Sequence, residues 1–522
     1  MKKYLSIIAC ATLALASCDS YLDKLPDDRA EVNTEEKVKS FLVSAYPAIA
    51  NNVIMETSTD NVSDYGRQYG TSDLKDEAYR FKDITDTGND SPRHLWNGYY
   101  EAIATANQAI ASIIEMGNPK SLAPQMAEAK LCRAYSMFML SNTFCMAYDP
   151  QKADEYAGLP YPKEPGLLIN ERGTLAELYA DIDKDIEDAL PDVTDNYSVP
   201  KYHFNTKAAY AFAARFNLYY HQYDKCVKYA TTALGSVPSS VMRDYTKYLQ
   251  FGADDIGNKY VNASESANFL LIPAYSLTWR ALMVGAWPRY QHNYNMTNYE
   301  TYWAEAPWGV GSSANTLYYA TMLYGSNPAV QFPKINEFFE YTDKVGGSGY
   351  VHTVHTAFTG DETLLCRAEA YAMLKQYNNC VADLNIWVNS HCAEEKDGTK
   401  RPVLTVDNIN KFIESIDYAP VTPESNRDRT IRKVLNPQGF TVEPGTQENI
   451  IEMLLHMRRL ETMFEGLRFM DIKRYGIEFA HVVSGEDPIV FSAGDLRGAL
   501  QIPGDVVNAG LAANPRQVAA SK

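Results

Sequence analysis

The stretch AAYAFAARFNLYYHQYDKCVKYATTAL, residues 208–234, has a counterpart in TLLCRAEAYAMLKQYNNCVADLNIWV, residues 363–388. QYDKCV at 222–227 returns as QYNNCV at 376–381, and LCRA at 131–134 returns at 365–368. Each long stretch reads as a helix, a tight turn and a second helix. Ala209, Ala213, Ala214, Phe216 and Leu218 put small and apolar residues at helical spacing on the first helix. Cys226, Val227, Ala230, Ala233 and Leu234 form one apolar stripe on the second. Small residues on facing stripes let two antiparallel helices approach closely, and Tyr223 or Tyr377 fills the gap at the turn.

Such helix pairs bury their apolar faces on the next pair, as in tetratricopeptide repeats. Two looser pairs are legible, one from 94–114 into 127–144 and one opening at 173–191, where Leu175, Leu178, Ile182, Ile186 and Leu190 make a stripe. The uneven separations imply long insertions, chiefly 240–360 and 393–450. The expected fold is mostly α: an irregular tetratricopeptide-repeat scaffold of about four helix pairs, at roughly 94–234 and 361–392, with a C-terminal helix at 450–476. Loop-rich insertions hung on this scaffold would form a ligand-binding face. Residues 18–522 are expected to form one domain.

Lys2 and Lys3, an apolar run from Tyr4 to Leu15 and the close Leu15-Ala16-Ser17-Cys18 read as a signal peptide over residues 1–17. The apolar run falls short of the roughly 20 residues a membrane-crossing helix needs. Small residues before a cysteine resemble a bacterial lipobox, which implies cleavage before Cys18 and acylation of that residue. Two or more acyl chains give stable anchoring. A formal charge of −17 with no basic patch outside the C-terminal region argues against nucleic acid. Cys132, Cys145, Cys226, Cys366, Cys380 and Cys392 sit in or beside apolar helical patterns without a CxxC, as buried thiols do.

Several separated stretches resemble the SusD/RagB family of surface lipoproteins from Bacteroidetes. They are Leu22-Asp23-Lys24-Leu25-Pro26 after the lipobox and the helix with Trp96, Tyr100, Ile103 and Asn107. RAEAYAMLKQYNNCVADLN (367–385), RRLETMFEGLRFMDIKRYG (458–476), and the closing Ile502-Pro503 and Asn514-Pro515 complete the set. Lys375-Gln376 departs from the pattern where a turn glycine is usual. The resemblance implies an outer-membrane, surface-exposed, lipid-anchored lid over a SusC-like TonB-dependent transporter. It implies capture of a nutrient, usually an oligosaccharide and in some branches an oligopeptide, with no catalysis and no cofactor.

The richest candidate for ligand contact is 275–319, with eleven aromatics in 45 residues and four of the six tryptophans. Exposed aromatic faces stack on sugar rings or peptide side chains, while amides and carboxylates orient polar groups. Trp287, Tyr290, Tyr294, Trp303 and Trp308 are the candidates, with His292, Asn293, Asn295 and Glu305 beside them. The polar loop STDNVSDYGRQYG (58–70) adds Asp60, Asn61, Asp64, Tyr65, Arg67 and Tyr69. VGGSGYVHTVH (345–355) reads as a mobile lip. Its His352 and His355 lack a nearby third ligand, Asp254-Asp255 matches no EF-hand, and no metal is expected. Glu461 and Glu465, one turn apart on a helix among arginines and lysines, read as an ion network. Neighbouring cations lower carboxylate pKa values, the wrong direction for a general acid. No GxSxG, HExxH or P-loop occurs.

Overall fold

A computed structural model describes residues 32–166, 171–283, 287–309, 317–318, 323, 330, 332–393 and 401–516. The predicted signal segment, Cys18 and the 22–26 motif lie outside these residues. No described helix is long and apolar enough to cross a membrane.

The chain is mostly helical, and its core is a stack of helix pairs. Helix Pro92–Glu115 is capped by Ser91 and starts on a proline, whose missing N–H is an orphan at that position anyway. It packs antiparallel on Ala123–Phe144, which leans on Leu175–Ala189, itself opened by a Thr174–Glu177 capping box. Helix Thr206–Tyr219 is apolar nearly all round because it lies mid-stack: Ala208, Ala209, Ala211, Ala213 and Ala214 are all buried. It pairs with Tyr223–Leu234.

The next layer comes from far along the chain. Helix Gly360–Met373 packs on Tyr223–Leu234 and then on its own partner Tyr377–His391. The two echoing stretches are therefore consecutive in space, and the thiol of Cys226 donates to the carbonyl of Cys366 at 3.5 Å. Val406–Glu414 and Thr446–Glu461 close the stack. The six described cysteines are free and buried, as the apolar patterns predict.

The structure gives each echoed phrase a physical meaning. In the first LCRA, Arg133 grips Asp185 of the next helix through two bonds of 2.7 Å. In the second, Arg367 grips Asp383 at 2.9 and 2.7 Å. Each turn before QY carries a left-handed, non-glycine residue: His221 at φ 61° and Lys375 at φ 58°. Lysine thus occupies the position where the family pattern has glycine, and adopts the strained conformation that glycine takes freely.

Two sequence expectations are corrected. The C-terminal 450–476 segment is not one helix: Thr446–Glu461 stops, the chain turns through Phe464 and Gly466 with positive φ, and Leu467–Tyr475 begins. Glu465 lies in that turn, so it does not share a helix with Glu461. The glycine-rich 345–355 segment belongs to a β-hairpin rather than a loop. In the insertion, strand β2 (Asn268–Ala274) and the hairpin strands β4 (Phe338–Asp343) and β5 (Ser348–Thr359) form an antiparallel sheet in the order β2-β5-β4. His352 and His355, three apart on β5, point to opposite faces, so they cannot share an ion. Burial lowers His355 to about 4.

Candidate functional site

The polar loop and the aromatic segment meet. Strand β1 (Ser63–Asp64) pairs antiparallel with β3 (Tyr290–Gln291), Ser63 opposite Gln291 and Asp64 opposite Tyr290. Two residues each make a marginal ribbon, so side chains hold the join. Arg289 clasps Asp64 through two bonds of 2.9 Å. The Tyr65 hydroxyl donates to the carbonyl of His292 at 2.5 Å, and the Asn293 amide donates to Ser63 Oγ. Asp64 also accepts the backbone N–H of Ser484, bringing a third segment to the same place. Burial alone raises the Asp64 pKa, but Arg289 and two backbone donors hold it below the ordinary value.

Below the join the candidates are structural. Tyr290 is fully buried, donates to Asp76 at 2.5 Å and stacks on Tyr79 with centroids 4.2 Å apart. Tyr79 continues the column onto His481 at 3.9 Å, and His481 onto Phe81 at 5.0 Å. His292 is buried, with Nδ1 donating to the carbonyl of Asn61 at 2.8 Å, and burial lowers it to about 4, so it stays neutral. Trp308 is buried and stacks on His456.

Asp60 and Asn61 are buried too. Arg468 grips Asp60 at 2.9 and 2.8 Å, and Arg459 donates to Asn61 Oδ1 at 2.7 Å. Burial opposes ionisation of Asp60, yet Arg459 and Arg468 hold its pKa well below the carboxylate range. The arginines of the C-terminal motif thus anchor the early loop from beneath.

The outward part is smaller. Tyr294 is 37% exposed and Tyr299 41%. Trp287, Trp303, Tyr65 and Tyr69 are half-buried and Glu305 is exposed. Tyr294 and Trp303 lie 5.3 Å apart at a tilt, while Tyr65 and Tyr69 make an edge contact at 6.0 Å. These rings are partly exposed on the segments that β1 and β3 join.

Sequence reasoning missed Lys75. Its fully buried ammonium donates to the carbonyls of Ala281, Trp287 and Tyr290 at 2.5, 3.1 and 2.6 Å, and so pins the aromatic segment. Burial lowers its pKa to about 7. A lysine in a polar stretch carries no sign that it will turn inward. Tyr299 was missed as well, since nothing distinguishes it from the buried Tyr302 three residues on.

A second exposed aromatic surface lies on the hairpin. Phe339 and Tyr341 touch at 4.8 Å on one face, and Tyr350 meets Tyr275 at 5.5 Å on the other. Two open clefts, of about 530 Å³ beside Arg172 and Asp181 and about 550 Å³ beside Arg93 and Asp505, are lined by none of the candidate residues.

Fold and site define a class: a helical-repeat protein that displays an aromatic surface on its insertions. Residues 20–218 match the family model SusD-like_3, described as "Starch-binding associating with outer membrane". No curated protein sequence matches the chain. Among solved structures, a putative sugar binding protein from Bacteroides vulgatus is similar with a TM-score of 0.65 at 16% identity, covering 93% of this chain and 99% of that one. A SusD superfamily protein from the same species gives 0.61 at 18% identity, covering 92% and 97%. One from Bacteroides thetaiotaomicron gives 0.60 at 16%, covering 92% and 98%. Residues 20–218 carry the sequence match to that family model, and the fold shared with these structures extends across the remainder of the chain.

Proposed function

We propose that the chain is a surface lipoprotein, anchored through acylated Cys18, that captures a nutrient oligomer and delivers it to a SusC-like TonB-dependent transporter of the outer membrane. An oligosaccharide is the favoured ligand, supported by the starch-binding description of the family model and the sugar-binding name of one structural relative. One observation carries the reading. The β1–β3 join puts Tyr65 and Tyr69 on the same frame as Trp287, Tyr294 and Trp303, all of them partly exposed. Aromatic faces of this kind stack on the apolar faces of sugar rings. Asp60, Asn61 and Tyr290 are buried at the base of the join, and Trp308 is buried in the helical core against His456 and Trp387.

The protein binds without turnover. Glu461 is buried and Glu465 nearly so; His391 holds the first ionised, whereas burial raises the second despite Lys334. The raised pKa of Glu465 differs from the sequence expectation, because loss of solvent outweighs the neighbouring ammonium. Its carboxylate is committed to Lys334 at 2.9 Å.

Calorimetry of the full chain, carrying Cys18→Ala to prevent acylation, against soluble oligosaccharides and oligopeptides tests the reading. Tyr294→Ala and Trp303→Ala are expected to weaken binding about ten-fold or more, equivalent to about 1.4 kcal/mol. Unchanged affinity in both variants overturns the site. Binding of peptides alone replaces the glycan with the oligopeptide reading, and new products after incubation would establish an enzyme instead.

A further inference from the structure

Asp361, His391 and Glu461 meet in the interior, away from the aromatic surface. Asp361 lies in the first turn of Gly360–Met373, His391 ends Tyr377–His391, and Glu461 ends Thr446–Glu461. One possible ligand atom from each lies within 4.8 Å of the others. The side chains are 0%, 0% and 2% exposed.

His391 Nδ1 lies 2.8 Å from both the carbonyl of Trp387 and the hydroxyl of Ser390, and its Nε2 faces Glu461 Oε2 at 2.8 Å. That oxygen also accepts the Trp387 indole N–H at 2.9 Å. A proton on Nε2 serves Glu461 alone. Asp361 Oδ1, 3.8 Å from the same Nε2, accepts only the Arg243 backbone N–H at 3.0 Å. Its Oδ2 is buried with no hydrogen-bond partner.

We propose that these three side chains form a site for a divalent metal ion of zinc-like chemistry. Imidazole and carboxylate ligands suit zinc, and two carboxylates balance its charge. With metal–ligand bonds near 2.1 Å, tetrahedral donors lie about 3.4 Å apart. The separations of 2.8 and 3.8 Å from Nε2 bracket that value. Each ligand is also oriented from behind: His391 by the Trp387 carbonyl, Glu461 by the indole, and Asp361 by the Arg243 amide, as outer partners commonly do. Because the site is closed, the ion enters during folding and ties the ends of three helices together.

The full chain, untagged and carrying Cys18→Ala, is produced with zinc in the medium and its metal content measured after dialysis. About one zinc per chain is expected, falling about ten-fold or more in Asp361→Asn. Parent protein without stoichiometric zinc, or an Asp361→Asn variant that is folded and retains it, overturns the site in favour of a shared proton. If Asp361→Asn does not fold, cobalt-loaded parent decides: a tetrahedral visible absorption band supports the site, and its absence overturns it.

Discussion

The helical stack and the aromatic face share one kind of anchor but differ in what they leave open to solvent. In the stack, buried arginines grip buried carboxylates across helices: Arg133 on Asp185, Arg367 on Asp383, Arg215 on Glu362, Arg458 on Asp471 and Arg474 on Glu369. On the face, Arg289 on Asp64 and Arg468 on Asp60 anchor the base in the same way, while a two-residue ribbon positions rings that remain partly open to solvent. A buried pair gives up the hydration of both charges, so it adds little over apolar packing. Losing one partner, however, strands a charge. The scaffold and the base of the face are therefore intolerant of change, while the partly exposed rings have room to vary.

The sharpest way to break the contrast is Arg458→Ala. Arg458 is fully buried, binds Asp471 at 2.9 Å and lies 3.5 Å from Glu369 and 3.8 Å from Glu362. Its removal strands carboxylates in the core and is expected to cost about 3–5 kcal/mol in denaturant unfolding.

Glu452 sharpens the comparison from the other side. This buried carboxylate has no guanidinium partner; one oxygen takes the backbone N–H of Lys433 at 3.1 Å and the other has no hydrogen-bond partner. Burial raises its pKa from 4.5 to about 8, with only partial relief from Lys433. The folded state therefore prefers the neutral acid. That stability is fully present below about pH 4.5 and is lost as pH rises through about 8. Glu452→Gln, neutral at every pH, is expected to gain about 1–3 kcal/mol over the parent on going from pH 5 to pH 8. A pH-independent difference in melting would refute the assignment.

A smaller effect is expected at the repeat turn. Lys375→Gly relieves a left-handed lysine and should stabilise by about 1 kcal/mol. The exposed Lys375–Glu443 contact that it removes contributes little. No rise in the melting temperature would show that the turn is unstrained. Smallest of all is Tyr294→Ala, which should shift stability by about 0.5 kcal/mol or less, because that side chain is on the surface. A larger loss would mean that the face is structural like the stack.

Legibility followed the same division. Ala213, Ala214, Cys226 and Ala230 advertise packed helices through spacing alone, and the stack is built on them. The 275–319 segment advertises aromatic content, but content does not sort Tyr290 from Tyr294. Register does: Tyr290 is paired in β3 over Tyr79, whereas Tyr294 opens the short helix Tyr294–Tyr299 at the surface. Asp60 looks like a ligand-binding acid until Arg468, 408 residues away in sequence, is found against it.

The sequence by itself determined the helix pairs, their echo and the family resemblance, because periodicity and turn chemistry are local. Tertiary structure alone decided that the two echoing pairs are neighbours. It also decided which aromatics face outward, and which acids are clasped, stranded or clustered around His391. Those outcomes depend on contacts between residues hundreds of positions apart, and on whether each charge keeps its water or loses it.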